Sequence, residues 1–362
     1  MENAINNFIL LPFITAFLGT AFFTPFCIKL LKKYGIVDDP KVRKHPAIIH
    51  SKPIPRGGGI PLYIGVVIAG LLFLPLNKIT GAIYLSSFIA LITGILDDKY
   101  DLSPYLRFIV NIVCALIIVG AGVSVSYITN PLGGILHLNE FRLPFEILGM
   151  SGAIVLSDIV AVLWIVWVMN MLNWSKGVDG QMPGIVAISA AIIGILSLRF
   201  GIFDDFSQIT TTLSFIISGT ALGFLIYNFH PAKIFPGYGA TAIYLLLAVV
   251  SILSSAKLAT AILVMGVPLA DGAFTIGRRI LTGHSPFWHD KKHLHHLLLS
   301  SGLGQRRIAL FYWIISAIFG SLSLVLPSRG KIFAIIMLVI IVGGTLLFLN
   351  FLIGKKNDKE TL

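Results

Sequence analysis

The sequence has little charge and few cysteines, and both scarcities exclude classes of protein. Only 12% of the 362 residues are charged, against roughly 25% in a soluble domain, whereas 56% are hydrophobic. A chain this apolar cannot cover a globule with polar surface, which excludes a soluble enzyme and a disordered chain. Cys27 and Cys114 both lie in apolar runs and provide no disulfide framework. The composition indicates an integral membrane protein.

Apolar stretches of membrane-spanning length recur along the whole chain. Because a bilayer core about 30 Å thick needs about 20 apolar residues per helix, we predict an all-α bundle of ten or eleven transmembrane helices, forming one domain over residues 1–362. The first stretch has no basic segment before it and no cleavage site after it, so we interpret it as a retained span. The candidate spans are 6–31, 58–76, 80–96, 105–127, 157–173, 182–199, 208–228, 239–255, 258–277, 308–327 and 331–353.

Positive charge exceeds negative charge by 11, which raises the question of a nucleic-acid partner. When the eleven spans alternate in direction, 21 of the 27 lysines and arginines fall on one side and six on the other. Since lysine and arginine stay in cytoplasmic loops, the N-terminus is predicted outside and the C-terminus in the cytoplasm. Topology explains the basic excess, so no nucleic-acid partner is expected. We predict a multi-pass protein of the cytoplasmic membrane.

Two adjacent aspartates, Asp97 and Asp98, directly follow the third predicted span. Neighbouring carboxylates at a membrane boundary repel each other, and at a helix C-terminus they also oppose the macrodipole. A pair of this kind is tolerated best beside a cation or a hydrogen-bond donor, and Mg²⁺ is bound by one or two carboxylates together with substrate phosphates. The alternative interpretation is an ordinary loop that ends the helix.

The loop before the second predicted span combines basic residues with three glycines. Lys52 and Arg56 precede Gly57, Gly58 and Gly59, which open the span. Free N–H groups at a glycine-rich helix start suit a phosphate. The cluster would equally fit an anchor on anionic lipid head groups.

Two further segments carry polar side chains on the same predicted side. Asn173 and Asp179 flank a glycine-rich loop that could bind a nucleotide or a metal, although a Gly-Asp-Gly turn is often only a turn. In a helix, His289, His293 and His296 would share one face at a spacing near that of zinc sites, but the neighbouring basic residues fit a phosphate patch as well. Asp271 lies inside the ninth predicted span and is a functional candidate, or pairs with Arg278 or Arg279.

In order, these motifs resemble those of the polyprenyl-phosphate N-acetylhexosamine-1-phosphate transferase family over about residues 30–310. The family shows Asp-Asp-Pro and Pro-x-Pro-Arg-x-Gly-Gly, met by residues 38–59, and an aspartate pair before Asp-Leu-Ser-Pro, met by residues 97–104. It also shows an Asp-Gly-x-Asp-Gly loop, a Phe-x-Gly-Asp-x-Gly-Ser segment and a terminal Asp-Lys/Arg-x-His-x-His-His motif, the last met by residues 290–296. At two positions this chain differs, with Lys176 and Tyr238 where the family pattern has aspartates.

The resemblance implies an enzyme. The phosphate of a polyprenyl carrier of the undecaprenyl class would attack the β-phosphorus of a UDP-N-acetylhexosamine in the membrane, with N-acetylglucosamine the expected sugar, and UMP would leave. It implies Mg²⁺, or Mn²⁺, as cofactor, and a homodimer is a further expectation. The implied catalytic residues are Asp97, Asp98 and His293; the implied metal ligands are Asp97, Asp98 and Asp179; the implied substrate-binding residues are Arg56, Lys52, Asn173, Lys176, Lys292, His295 and His296.

Two other classes of function remain open on the sequence alone. A non-catalytic relative could bind the lipid carrier or scaffold glycan assembly, which Lys176 and Tyr238 would favour. A transporter of lipid or anions is the second alternative, but transporters place their acids near the bilayer midplane, whereas here they cluster at one interface.

Overall fold

The computed structural model describes residues 6–42, 50–130, 133–147, 150–199, 201, 204–254, 258–288 and 290–360, and this part of the chain is mostly helical. The α-helices are α1 (Leu11–Lys33), α2 (Gly59–Phe73), α3 (Lys78–Tyr100), α4 (Pro104–Gly120), α5 (Leu156–Trp174), α6 (Gln181–Leu198), α7 (Asp205–Asn228), α8 (Thr241–Leu253), α9 (Leu258–Val264), α10 (Gly266–Leu281), α11 (Leu294–Ser300), α12 (Gln305–Val325) and α13 (Ser328–Glu360). A π-helical turn precedes α1, and a 3₁₀ turn, Tyr238–Ala240, precedes α8.

Short strands occur only in loops within the described ranges. They form three antiparallel pairs: β1 (Val37–Asp38) with β2 (Ile54–Pro55), β3 (Tyr127–Thr129) with β4 (Ile135–His137), and β5 (Arg142–Ile147) with β6 (Met150–Val155). The last two pairs lie in the loop between α4 and α5.

Ten of the eleven predicted spans each coincide with one helix of the structure and the ninth with a bent pair of helices, which confirms a helical integral membrane protein. Seven helices of the described chain are long and apolar enough to cross a membrane, and a bent pair makes eight. Three more, Gly59–Phe73, Pro104–Gly120 and Tyr238–Leu253, are apolar but shorter. The count of eleven and the direction of the termini stay predictions.

The ninth predicted span is not one straight helix. It is divided at Met265 into α9 and α10, whose axes differ by 85°. Pro268 lies in the first turn of α10 and has no N–H to donate to the preceding turn, so a continuous helix would lose a hydrogen bond there. Hydropathy detects the apolar length of this segment but not the bend.

Helix α7 lies at the centre of the bundle and is largely buried along its length. It approaches α1 closely where glycines leave room: a Cβ added to Gly219 would lie 2.2 Å from the Phe13 carbonyl oxygen, and one added to Gly223 would lie 2.4 Å from that of Phe17. Small residues allow helices in a membrane to gain contact without a hydrophobic driving force.

A second set of close approaches brings α2 and α3 against the 3₁₀ turn before α8. A Cβ on Gly59 would lie 2.2 Å from the carbonyl carbon of Gly239, and a Cβ on Gly94 would lie 2.2 Å from its nitrogen and Cα. Gly94 is one turn before Asp97, so this contact sets the distance between the aspartate pair and the segment that begins at Tyr238.

The first prediction concerns this contact. Gly94→Ala should destabilise the protein by about 1–3 kcal/mol, because the added methyl group would meet backbone that cannot move aside cheaply. Gly81→Ala in the same helix is the matched control, since a Cβ there meets nothing within 4 Å. Thermal unfolding in detergent would measure both variants. Equal midpoints for Gly94→Ala and Gly81→Ala would contradict the described packing.

Candidate active site

A cavity of about 670 Å³ lies where the ends of α3, α5 and α7 meet the starts of α4 and α6 and the segment before α11. Its wall contains most of the substrate-binding residues that the sequence predicts. The predicted residues that line it are Arg56, Asn173, Lys176, Asp179, His293, His295 and His296. Lys52 and Lys292 are exposed and lie outside this wall.

The predicted aspartate pair lies directly behind the wall and is buried. Asp97 accepts two hydrogen bonds from Nη1 of Arg107, at 3.1 and 3.2 Å, and its Oδ2 is 3.5 Å from Nη2 of Arg56. Asp98 Oδ1 accepts from the Arg56 Nε at 2.8 Å and from the backbone N–H of Tyr238 at 2.9 Å. Asp98 Oδ2 is buried with no hydrogen-bond partner in the described chain.

Arg56 reaches the aspartates because its loop pairs with the segment before α8. Phe235 N donates to the Pro55 carbonyl at 2.8 Å, and Gly58 N donates back to the Phe235 carbonyl at 2.9 Å. Gly57 N also faces the Phe235 carbonyl, and Gly59 N donates to Pro236. The expectation that these glycines offer free N–H groups to a phosphate is wrong, because neighbouring backbone carbonyls already accept from them.

Lys176 and Tyr238, at the two positions where the resemblance leads us to expect aspartates, meet in the cavity wall. Lys176 Nζ donates to the Gly237 carbonyl at 2.7 Å and lies 5.8 Å from the centre of the Tyr238 ring. The Arg107 guanidinium lies 5.1 Å from the same ring, and Asn111 Nδ2 donates to the Tyr238 hydroxyl at 3.2 Å.

The pKa of Lys176 is lowered to about 7, because desolvation in the wall disfavours the ammonium and the neighbouring guanidiniums oppose it. Attraction to Asp98 and Asp97 acts in the opposite direction. A phosphate bound beside this amine would favour the charged form in the same way as those carboxylates.

Asp179, a predicted metal ligand, holds the loop after α7. Its Oδ2 is 2.7 Å from Nδ1 of His230 and accepts from the backbone N–H of Ala232 at 3.0 Å. Its own backbone N–H donates to Gln305 Oε1 at 3.1 Å. Asp179 therefore ties α6, α12 and the loop after α7 together at the cavity, and its role as a metal ligand stays a prediction.

His293 is fixed by Asp271 from the neighbouring helix. Its Nδ1 is 3.0 Å from Asp271 Oδ2, and the other Asp271 oxygen accepts from Leu294 N at 3.1 Å at the start of α11. The alternative pairing of Asp271 with Arg278 or Arg279 is wrong, because both guanidiniums bind Asp290, at 2.8 and 3.0 Å.

The sequence predicts that His289, His293 and His296 share one face of a helix, but the described part of this segment does not form such a helix. Helix α11 begins at Leu294, with His293 as its N-terminal cap residue, and His289 lies outside the described residues. Burial lowers the pKa of His295 well below its usual value, and burial with the neighbouring His293 lowers that of His296 to about 4. Both imidazoles are thus neutral near pH 7 and offer hydrogen bonds rather than charge.

The residues of this site do not fit a divalent cation. Among the described residues there is no group of three or more His, Cys, Asp or Glu side chains that could hold a metal. Both Asp97 oxygens face guanidiniums, one Asp98 oxygen is engaged, and Asp179 binds its own loop. Lys176, whose charge interacts with Asp98, adds a further cation to the surroundings of this aspartate. Mg²⁺ prefers several oxygen ligands in octahedral geometry, which this set does not supply.

Sequence reasoning missed several residues of the site. Arg107 neutralises Asp97 from α4, and an arginine in the first turn of an apolar helix is the signal that could have revealed it. Asn111, His230 and Arg279 also act through tertiary contacts, the last lying 5.3 Å from the Trp174 ring. No local pattern marks these three.

Comparison with known proteins shows extensive similarity to one group of enzymes. The family model described as glycosyl transferase family 4 matches residues 80–255. A probable undecaprenyl-phosphate N-acetylglucosaminyl 1-phosphate transferase of Bacillus subtilis is 34% identical over 344 residues, covering 92% of this chain and 89% of the relative. Decaprenyl-phosphate N-acetylglucosaminephosphotransferase of Mycolicibacterium smegmatis is 30% identical, covering 91% and 85%. Undecaprenyl-phosphate alpha-N-acetylglucosaminyl 1-phosphate transferase of Haemophilus influenzae is also 30% identical, covering 94% and 92%.

The second prediction concerns the buried ion pairs. Arg107→Met should destabilise the protein by about 3 kcal/mol, because it leaves Asp97 buried with only the longer contact to Arg56. Adding Asp97→Asn to that variant should recover part of the loss, since no uncompensated charge remains. Arg142→Met, at an exposed arginine, is the control. Thermal unfolding would measure Arg107→Met, Asp97→Asn and the double variant. If the loss of stability in the double variant equals the sum of the losses in the two single variants, the two residues are not coupled as described.

Proposed function

The chain belongs to glycosyl transferase family 4, and we propose that it transfers N-acetylglucosamine 1-phosphate from UDP-N-acetylglucosamine to a polyprenyl phosphate, releasing UMP. The names of the relatives supply this substrate class, undecaprenyl phosphate in two of them and decaprenyl phosphate in another. The reaction forms a bond between an oxygen of the lipid phosphate and the β-phosphorus, and it breaks the bond from that phosphorus to the bridging oxygen of UMP.

One observation carries the proposal: a buried aspartate pair is held by guanidiniums directly behind a polar cavity in a membrane bundle. Phosphoryl transfer needs positioning and charge neutralisation more than covalent chemistry from the protein. Arg56 and Lys176 present positive charge to the cavity from the side of the aspartates, and Arg279 does so from α10. These groups can bind the phosphates of both substrates.

Asp98 is the candidate general base of the pair. Its Oδ2 is the carboxylate oxygen that keeps no partner, whereas Asp97 is fully engaged by Arg107 and Arg56. A phosphate monoester has a second pKa near 6, so a carboxylate can take its remaining proton and increase the nucleophilicity of the attacking oxygen.

His293 and Asn173 are the candidate contacts on the sugar nucleotide. The bond between Asp271 and Nδ1 of His293 fixes the ring and leaves Nε2 as its second nitrogen for the substrate. Asn173 Oδ1 is buried with no partner in the described chain and can accept a hydrogen bond from an N–H of the base or of the acetamido group. His295 and His296 line the same cavity, and Lys52 and Lys292 stay predicted contacts from outside it.

The proposed location follows from the charge distribution. Eleven spans, an external N-terminus and a cytoplasmic C-terminus would place the cavity at the cytoplasmic face of the cytoplasmic membrane. UDP-sugars would then reach it from the cytoplasm and the polyprenyl phosphate from the lipid. A homodimer stays a prediction.

The third prediction tests the activity. Full-length protein in lipid nanodiscs, given a polyprenyl phosphate and UDP-N-acetylglucosamine in buffer that contains Mg²⁺, should release UMP and form a lipid-linked sugar. Asp98→Asn should reduce UMP release by about 10²-fold or more, the usual contribution of a general base. Lys99→Gln, which removes an exposed lysine at the end of the same helix, is the matched control.

Three outcomes would contradict the proposal. UMP release without polyprenyl phosphate would indicate a hydrolase, and full activity of Asp98→Asn would remove the aspartate pair from catalysis. Binding of polyprenyl phosphate without UMP release from any UDP-N-acetylhexosamine would indicate a non-catalytic relative.

A further inference from the structure

Three cations surround the two buried carboxylates at this site. Arg56 and Arg107 bind the aspartates directly, and Lys176 interacts electrostatically with both. When all five groups are charged, the cluster carries a net charge of about +1, and when Lys176, whose pKa is lowered to about 7, is neutral, the net charge is about zero. In neither state does the cluster have the net negative charge that would attract a divalent cation, whereas its guanidiniums can attract the phosphates of two substrates.

Lys176 is held in place by groups from two other parts of the chain. The Gly237 carbonyl accepts from its Nζ at 2.7 Å, and the Tyr238 ring lies under the ammonium. A Cβ on Gly237 would lie 2.1 Å from Asp98 Oδ2, so the residue that binds Lys176 is also in contact with the unpartnered carboxylate oxygen. The Gly237 carbonyl thus holds the ammonium in the cavity wall, where it interacts electrostatically with Asp98 without forming a direct ion pair.

Tyr238 fills the remaining space beside the aspartate pair. It is 4% exposed, its hydroxyl accepts from Asn111, and the Arg107 guanidinium covers its ring. A neutral phenol in this position supplies no carboxylate for a metal. The aromatic face instead stabilises the two cations that flank it.

We propose that the ammonium of Lys176 takes the place of a divalent cation in this protein, so that the site binds and transfers the sugar phosphate without a metal ion. This inference rests on the proposed function. Lys176 would contact the diphosphate of the sugar nucleotide while Arg56 contacts the lipid phosphate, which brings the two reacting groups together and neutralises the charge that builds up between them. The step needs no other co-reactant: the lipid phosphate oxygen bonds to the β-phosphorus and UMP leaves.

Metal binding can be measured independently of activity. Electron paramagnetic resonance of Mn²⁺ with the purified full chain should show no stoichiometric binding to the wild-type protein. Lys176→Asp/Tyr238→Asp, which adds two carboxylates beside Asp98 and removes the ammonium, should bind one Mn²⁺ that excess Mg²⁺ displaces. The proposal would be overturned if the wild-type protein bound one Mn²⁺ and Asp98→Asn did not. The wild-type measurement alone tests the proposal, even if the double variant does not fold.

UMP release supplies the second readout. The rate of UMP release by the wild-type protein should differ by less than about twofold between buffer with EDTA and buffer with Mg²⁺. Lys176→Gln should lower this rate by about 10²-fold or more, and Lys176→Arg should restore part of it. Lys99→Gln again serves as the control. A wild-type rate that EDTA lowers tenfold and Mg²⁺ restores would overturn the proposal. If no UMP is released under either condition, the proposed function fails, while the Mn²⁺ measurement still decides between lysine and metal.

Discussion

Two carboxylates buried at the end of α3 are the constraint on which the rest of the site depends. A buried charge is strongly destabilising without a partner, so Asp97 and Asp98 require the guanidiniums that reach them from the loop before α2 and from α4. The loop can deliver Arg56 only because its backbone pairs with the segment before α8. The glycine contacts between α2, α3 and the 3₁₀ turn then make that pairing sterically feasible.

A second set of polar contacts shapes other parts of the cavity wall by the same logic. Asp179 and Asp271 each combine a histidine with a backbone N–H, and each thereby ties a loop to a helix from a distant part of the sequence. These carboxylates hold the walls in position, whereas the groups that face the cavity are imidazoles, amides and cations. Structural and chemical roles are therefore divided between neighbouring residues.

Hydropathy and charge distribution suffice to predict the membrane class and the position of the long apolar helices, because both depend on local composition. The aspartate pair and the histidines are also visible in the sequence, since such residues are rare beside apolar spans. The bend at Met265, the occupied N–H groups of Gly57 to Gly59 and the pairing of Arg107 with Asp97 are not visible. Each depends on contacts between segments that are far apart in the sequence, and hydropathy carries no information about those contacts.

The contact between Lys176 and Tyr238 has a consequence for substitutions at either position. A lysine at 176 facing an aspartate at 238 would keep each charge near an opposite one. A tyrosine at 238 facing an aspartate at 176 would remove a carboxylate without supplying a cation. The two positions are therefore interdependent, because the residue at one of them decides which charge the other has to balance.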